Sequence, residues 1–221
     1  AARLESALNN ARVDLMSLRT TGAGAEFGTA YTKSAVDPSM KDIAATWRRR
    51  IATRLVAELS ANPQYAQMWV VGRENGGREL VRVDRSGLQG TIRVVPEVEL
   101  APKGDRAYFS EAIGLSAREM YVSPVEPQQV PSTVDRAPFP VVRVAAPLLD
   151  GEGKAFAVGV IDVDLQPEFD RVRANMVSGR QIFVVNERGE YLLHPDAQRV
   201  FASESATPTR IQSTFPQFDE A

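Results

Sequence analysis

Two aspartates, Asp162 and Asp164, stand two apart in a stretch from Ala155 to Leu165 whose apolar residues alternate. In a strand that spacing aims both carboxylates to one side, about 7 Å apart. Such a pair can hold an amine, or each acid can raise the other's pKa. Equally, one can lie past the sheet edge in water or pair with an arginine such as Arg143. Arg143 alternates with Val141 and Ala145, so it projects from a mostly apolar face and can reach either aspartate or a ligand. Arg106 follows Lys103-Gly104-Asp105. A guanidinium there can fork onto a carboxylate, or be an ordinary loop arginine. Tyr108, Phe109 and Tyr121 offer pocket walls with polar tips, or plain core. Trp69 shares a strand face with Val71 and suits core and pocket alike.

Other chemistry is thin. His194 is the only histidine and precedes Pro195 at a hairpin end, which makes it structural. One histidine and no cysteine argue against a zinc centre, and the lack of cysteine excludes thiol catalysis and disulfides. No nucleophile elbow, phosphate loop or dinucleotide fingerprint occurs; Gly22-Ala23-Gly24 follows a helical pattern, not a strand. No catalytic residue, metal or cofactor is expected. With 26 Lys+Arg against 28 Asp+Glu, nothing suggests nucleic acid or an anionic membrane surface as partner. There is no run of 18 apolar residues that would span a membrane. The chain begins at Ala1 inside a helical pattern, which is expected of a soluble piece lying between two spans.

The 221 residues suffice for one large domain or two small ones, and at 43% hydrophobic they can bury a core. Leu4, Leu8, Ala11, Leu15, Leu18, Gly22 and Ala25 follow a four-three spacing. This predicts a helix lying on its own domain, or one that also pairs with a second copy. Helical throughout 1–33, it would form a rod of roughly 50 Å. Asp37-Pro38 breaks it. A second helix is expected over 39–60, with Ile43, Trp47, Ile51, Leu55 and Leu59 turned inward, Arg48–Arg50 solvated, and Asn62-Pro63 as its end.

Strands are expected over 66–73 and 79–84 around Glu74-Asn75-Gly76-Gly77, over 119–124, and over 140–165 as a hairpin around Asp150-Gly151-Glu152-Gly153. In its second strand Phe156, Val158, Val160, Asp162 and Asp164 share one face, apolar until it turns acidic. An irregular segment over 88–115 and a proline-rich loop over 125–138 separate these strands, about five in all. A linking helix over 172–177, stopped by Gly179, precedes a smaller hairpin around Glu187–Glu190. The expected fold class is α+β: helices over 1–61, a sheet domain over 62–175 and a small, minimal or truncated second unit over 176–221.

The ordered series GRENGGRELVRVD, KGDRAYFSEA, MYVSP, PVVRVAAPLLDGEGKAFAVGVIDVDL and IFVVNERGEYLLHPD resembles the double Cache family of extracytoplasmic sensors, over most of Tyr65 to Asp196. The resemblance implies PAS-like modules and the periplasmic sensing part of an inner-membrane histidine kinase, chemoreceptor or cyclic-di-nucleotide enzyme. It implies a small polar metabolite as ligand, a homodimer through the N-terminal helix, and flanking membrane spans. Family members that bind amino acids use an arginine before two aromatics, a later tyrosine, and an aspartate for the amine. Arg106, Tyr108, Phe109, Tyr121 and Asp164 stand at those places. Two departures are that Phe109 lacks a hydroxyl and that Asp162 stands where the family often has glycine. The other readings are a module with a degenerate pocket that senses a periplasmic partner protein, and an enzyme supported only by scattered Asp and Arg residues.

Overall fold

Apolar spacing at the N-terminus selects a face, and a sheet covers it. In the computed structural model, which describes residues 2–20, 22–34, 37–74, 76–86, 90–128, 139–175, 180–201 and 210–218, three helices open the chain: α1 (Ala2–Thr20), α2 (Gly22–Ser34) and α3 (Lys41–Ala61). Ala11, Leu15 and Leu18 of α1, Phe27 of α2, and Ile51, Leu55 and Leu59 of α3 are buried in one apolar cluster. The heptad seam is therefore used within the chain, and its fully buried members are not available to a second copy. Of the expected stripe on the second helix, Ile43 departs: it is exposed, and Trp47 is only partly buried, under the Arg50 guanidinium 4.5 Å from its ring centre.

Every strand pairing among the described residues is antiparallel. The strands of the main sheet are β1 (Tyr65–Gly72), β2 (Glu79–Ser86), β3 (Thr91–Val94), β4 (Tyr121–Val122), β5 (Glu126–Pro127), β6 (Pro140–Leu149) and β7 (Ala155–Asp164), in the order β3-β2-β1-β7-β6-β4, with β5 also on β6. Among the described residues seven strands stand where about five are expected, because β3 and β5 are too short to show an alternation of their own. A short helix, α4 (Ala107–Ala112), lies between β3 and β4. Helix α5 (Gln166–Ala174) starts earlier than expected, with Pro167 in its first turn.

Alternation divides the two faces. Met68, Val70, Val81, Val83, Val142, Val144, Ile161 and Val163 turn to the helices. Gly159 lets α1 approach, since a Cβ there would lie 3.2 Å from Leu15 Cδ2. Val158 and Val160 turn the opposite way, as expected. Phe156 does not: a register shift at Leu148/Leu149 turns it to the helix side, where its ring meets Phe27 edge-on at 5.7 Å. Two polar ties fix the helices. The buried Tyr65 hydroxyl donates to Asp14 at 2.6 Å, and Arg85 donates to the Leu59 and Asn62 carbonyls at the end of α3 and to the Tyr65 carbonyl at the start of β1.

A separate two-stranded sheet follows, β8 (Val184–Val185) with β9 (Tyr191–Leu193), then α6 (Ile211–Thr214). His194 is buried there; its Nδ1 accepts the Asp196 N–H at 2.9 Å and its ring packs on Phe183 and Tyr191. Helices on an antiparallel sheet with a smaller second sheet make the two-lobed, PAS-like α+β architecture. Ala1, Thr21, Asn75, Leu88, Gly179, and residues 129–138, 202–209 and 219–221 lie outside the described residues.

Candidate ligand-binding site

The face of the sheet turned away from α1 carries charge. On β2, Val81 and Val83 face the helices, so Arg82 and Asp84 must face the other way. Gln67 and Trp69 of β1 sit opposite Asp84 and Arg82 in register, and Arg143 of β6 sits opposite Asp162 of β7. Gln67, Trp69, Arg82 and Arg143, with the loop over 102–106, α4 and the β4–β5 segment above them, bound a cavity of about 690 Å³.

Its floor is two ion-pair clusters. Arg143 forks onto Asp162, Nε to Oδ1 at 2.8 Å and Nη2 to Oδ2 at 3.2 Å, while Nη1 reaches Glu126 at 2.9 Å. The same guanidinium lies 4.9 Å from the Tyr108 ring centre and 5.5 Å from that of Trp69. Asp162 is fully buried. Burial pushes its carboxyl above the ordinary range, against the pull of Arg143. Burial also works against the charge on Arg143, yet the Asp162 carboxylate holds its pKa up. In the second cluster Arg82 Nη1 donates to both oxygens of buried Glu79, at 3.0 and 3.2 Å, and its Nε lies 3.3 Å from Asp84. Burial likewise raises Asp84, which accepts from Gln67.

The mouth is placed by backbone contact. Gly77 has φ +72°, and a Cβ on it would lie 2.3 Å from Gly104 Cα. Only glycines let the β1–β2 turn and this loop meet so closely. The Lys103 N–H donates to the Gly77 carbonyl at 2.7 Å. Lys103, Asp105 and Arg106 are thereby carried to the rim. Arg106 is half-exposed, 3.7 Å from Asp105. Tyr108 is buried and meets Trp69 edge-on at 5.8 Å. Burial pushes its phenol up to about 12, against a smaller pull from the Trp69 N–H and Arg143.

Of the residues expected from sequence, Trp69, Arg106, Tyr108, Tyr121 and Arg143 line this cavity together, and Asp162 lies under Arg143. Phe109 is not in the lining: it packs in the apolar layer with Val71, Ala112, Ala145, Val158 and Val160. Asp164 is not either. The pairing of β7 with β1 shifts register at Tyr65/Gln67, and the chain then turns into α5. Asp164 accepts the Gln166 N–H at 2.8 Å there and borders a separate 290 Å³ depression beside Leu4 and Ala7. Sequence reasoning missed Gln67, Glu79, Arg82, Ser123, Glu126 and Gln128, all in the lining. For Arg82 a signal existed, because ELVRVD alternates as cleanly as the strand that holds Asp162.

No family model matches the chain, and no curated protein matches it. Solved structures do. A domain of a sensory box/GGDEF family protein from Vibrio parahaemolyticus shares 16% identity over 97% of this chain and 83% of its own, with TM-score 0.64. The extracellular domain of a histidine kinase shares 17% over 98% and 80%, with TM-score 0.61. The periplasmic sensory domain of a Campylobacter jejuni chemoreceptor shares 11% over 96% and 69%, with TM-score 0.54. The chain has the fold of periplasmic and extracellular sensor domains. Among the described residues, no group of His, Cys, Asp and Glu could hold a metal ion, and no helix is long and apolar enough to cross a membrane.

Proposed function

We propose that this chain is the extracytoplasmic sensing part of a membrane receptor and that it binds a small polar metabolite in the cavity above Arg143. The unit over 62–175 would be the sensing lobe, the unit over 176–221 the smaller membrane-proximal one, and the spans would flank both. The observation that carries this reading is a charged, aromatic-walled cavity on one face of a sheet whose opposite face is packed on the N-terminal helix. Arg143 on β6 lines the cavity, and Leu15 of α1 meets Gly159 on β7, the strand paired with β6. A change of sheet position on binding would thus be felt by α1, the element nearest the start of the chain. The output would be a histidine kinase, a chemoreceptor signalling domain or a cyclic-di-nucleotide enzyme. A homodimer through the N-terminal helix would use its outer surface, where Arg12 and Val13 are exposed, not the buried seam.

A second reading, docking of a periplasmic partner protein, is favoured by the exposed side chains of Val94 on edge strand β3 and Val98 just after it. A thermal-shift screen against organic acids, amino acids, amines and sugars separates the two. Sensing of a metabolite requires at least one hit whose affinity falls in Arg106→Gln. A screen without hits, alongside a partner protein whose binding is lost on Val98→Asp, supports the second reading.

A further inference from the structure

Hydrogen-bonding capacity around the cavity is lopsided. Its buried acids are taken. Both Glu79 oxygens accept from Arg82, and one also accepts the Ala101 N–H at 3.0 Å. Both Asp162 oxygens accept from Arg143. Glu126 gives one oxygen to Arg143. The donors are less well served. Trp69 Nε1 is buried and makes no aligned hydrogen bond, although it lies close enough to Tyr108 to influence the phenol. Arg82 Nε is buried too, and its 3.3 Å approach to Asp84 is an ion pair without hydrogen-bond geometry. An indole N–H and a guanidinium can only donate. An orphaned buried donor costs free energy until an acceptor arrives. At the mouth Lys103 and Arg106, with Asp105 between them, leave an excess of positive charge.

We propose, building on the sensing reading above, that the cavity selects a small carboxylate lacking an ammonium group, with the Arg143–Asp162 pair as the element that sets this preference. A carboxylate offers acceptors only, which matches the unserved donors. An ammonium offers three donors and needs acceptors. Asp162, the buried acid of the floor, could serve it only by giving up a two-point charge-assisted contact. Arg143 would then be left stacked on Tyr108 and Trp69 with Glu126 as its remaining partner. Arg106 and Lys103 take the carboxylate at the mouth; Trp69 and Arg82 face the deeper acceptor.

Two matched pairs test this, each differing by the ammonium group: succinate against L-aspartate, and butyrate against L-2-aminobutyrate. Titration calorimetry on the whole chain should give the ammonium-free member of a pair the tighter binding, by about tenfold or more. Arg106→Gln should weaken succinate by about tenfold and flatten its salt dependence. Glu126→Gln, which removes a competing negative charge, should tighten it. If the aminated members bind more tightly, or Glu126→Gln weakens succinate, the preference is wrong while the cavity remains a metabolite site. The preference is equally wrong if both pairs are silent and a neutral or cationic metabolite binds. Silence of every small molecule on folded protein overturns both this inference and the sensing reading.

Discussion

Replacing Asp162 by alanine strands a guanidinium. Asp162 has no exposed side-chain surface and Arg143 has 15%, so water cannot readily solvate what is left. Removing one member of a buried ion pair typically costs about 3–5 kcal/mol, because the other charge stays buried. Arg143 keeps Glu126 at 2.9 Å and two aromatic faces, which places the expected loss near the lower end, ~3 kcal/mol. For a chain of this size that lowers Tm by about 6–12 °C. The double variant Arg143→Met/Asp162→Leu removes both charges and keeps the volume, so it should fall within about 1 kcal/mol of the parent. Urea unfolding followed by circular dichroism, read as a double-mutant cycle, measures the coupling. A loss under about 1 kcal/mol in Asp162→Ala, or a double variant as unstable as the single, would mean that this pair is not held in a dry site.

Three further outcomes are expected. Gly77→Ala should cost at least about 1–2 kcal/mol for its left-handed backbone, and should also displace the loop that carries Arg106. Gly76→Ala, with the same φ and no neighbour within 4 Å, should show the backbone cost alone; equal effects at both positions would remove the close-approach argument. Tyr65→Phe deletes the 2.6 Å bond to Asp14 and should cost about 1–1.5 kcal/mol, with faster amide exchange in α1; unchanged exchange would deny that this bond anchors the helix. Burial holds the Asp84 carboxyl above its ordinary 3.8, so its favourable share of stability is present below 3.8 and is lost as pH rises through the folded value. Asp84→Asn should therefore compare best with the parent at neutral pH, and the difference should shrink toward about pH 4 in thermal melts. A difference that grows on acidification contradicts the sign.

Local chemistry decided much of the framework. The breaks at Asp37-Pro38 and Asn62-Pro63 delimit the helices, because proline cannot continue a helical hydrogen-bond ladder. The turn at Asp150–Gly153 joins β6 and β7, and alternation sent Val158 and Val160 to one face with Ile161 and Val163 on the other. Those are rules of period and turn, written over a few neighbouring residues. The site obeyed them in part. Trp69, Tyr108, Tyr121, Arg106 and Arg143 converge as their positions suggested. Which carboxylate they converge on was not legible. Parity put Asp162 and Asp164 side by side, but a register shift near Tyr65 and the turn into α5 separated them. Likewise a seam of Leu and Ala tells which side of a helix is buried and not what buries it; the sheet took Ala11, Leu15 and Leu18. Arg143 meets Asp162 across the β6–β7 hairpin, a pairing open to the sequence, whereas Gln67 comes to lie opposite that same aspartate only through the pairing of β1 with β7. Pairing between strands far apart in the chain is decided by the fit of two whole faces. No single stretch of sequence contains that fit, so only the tertiary structure could bring Gln67, Trp69 and Arg82 beside the Arg143–Asp162 pair.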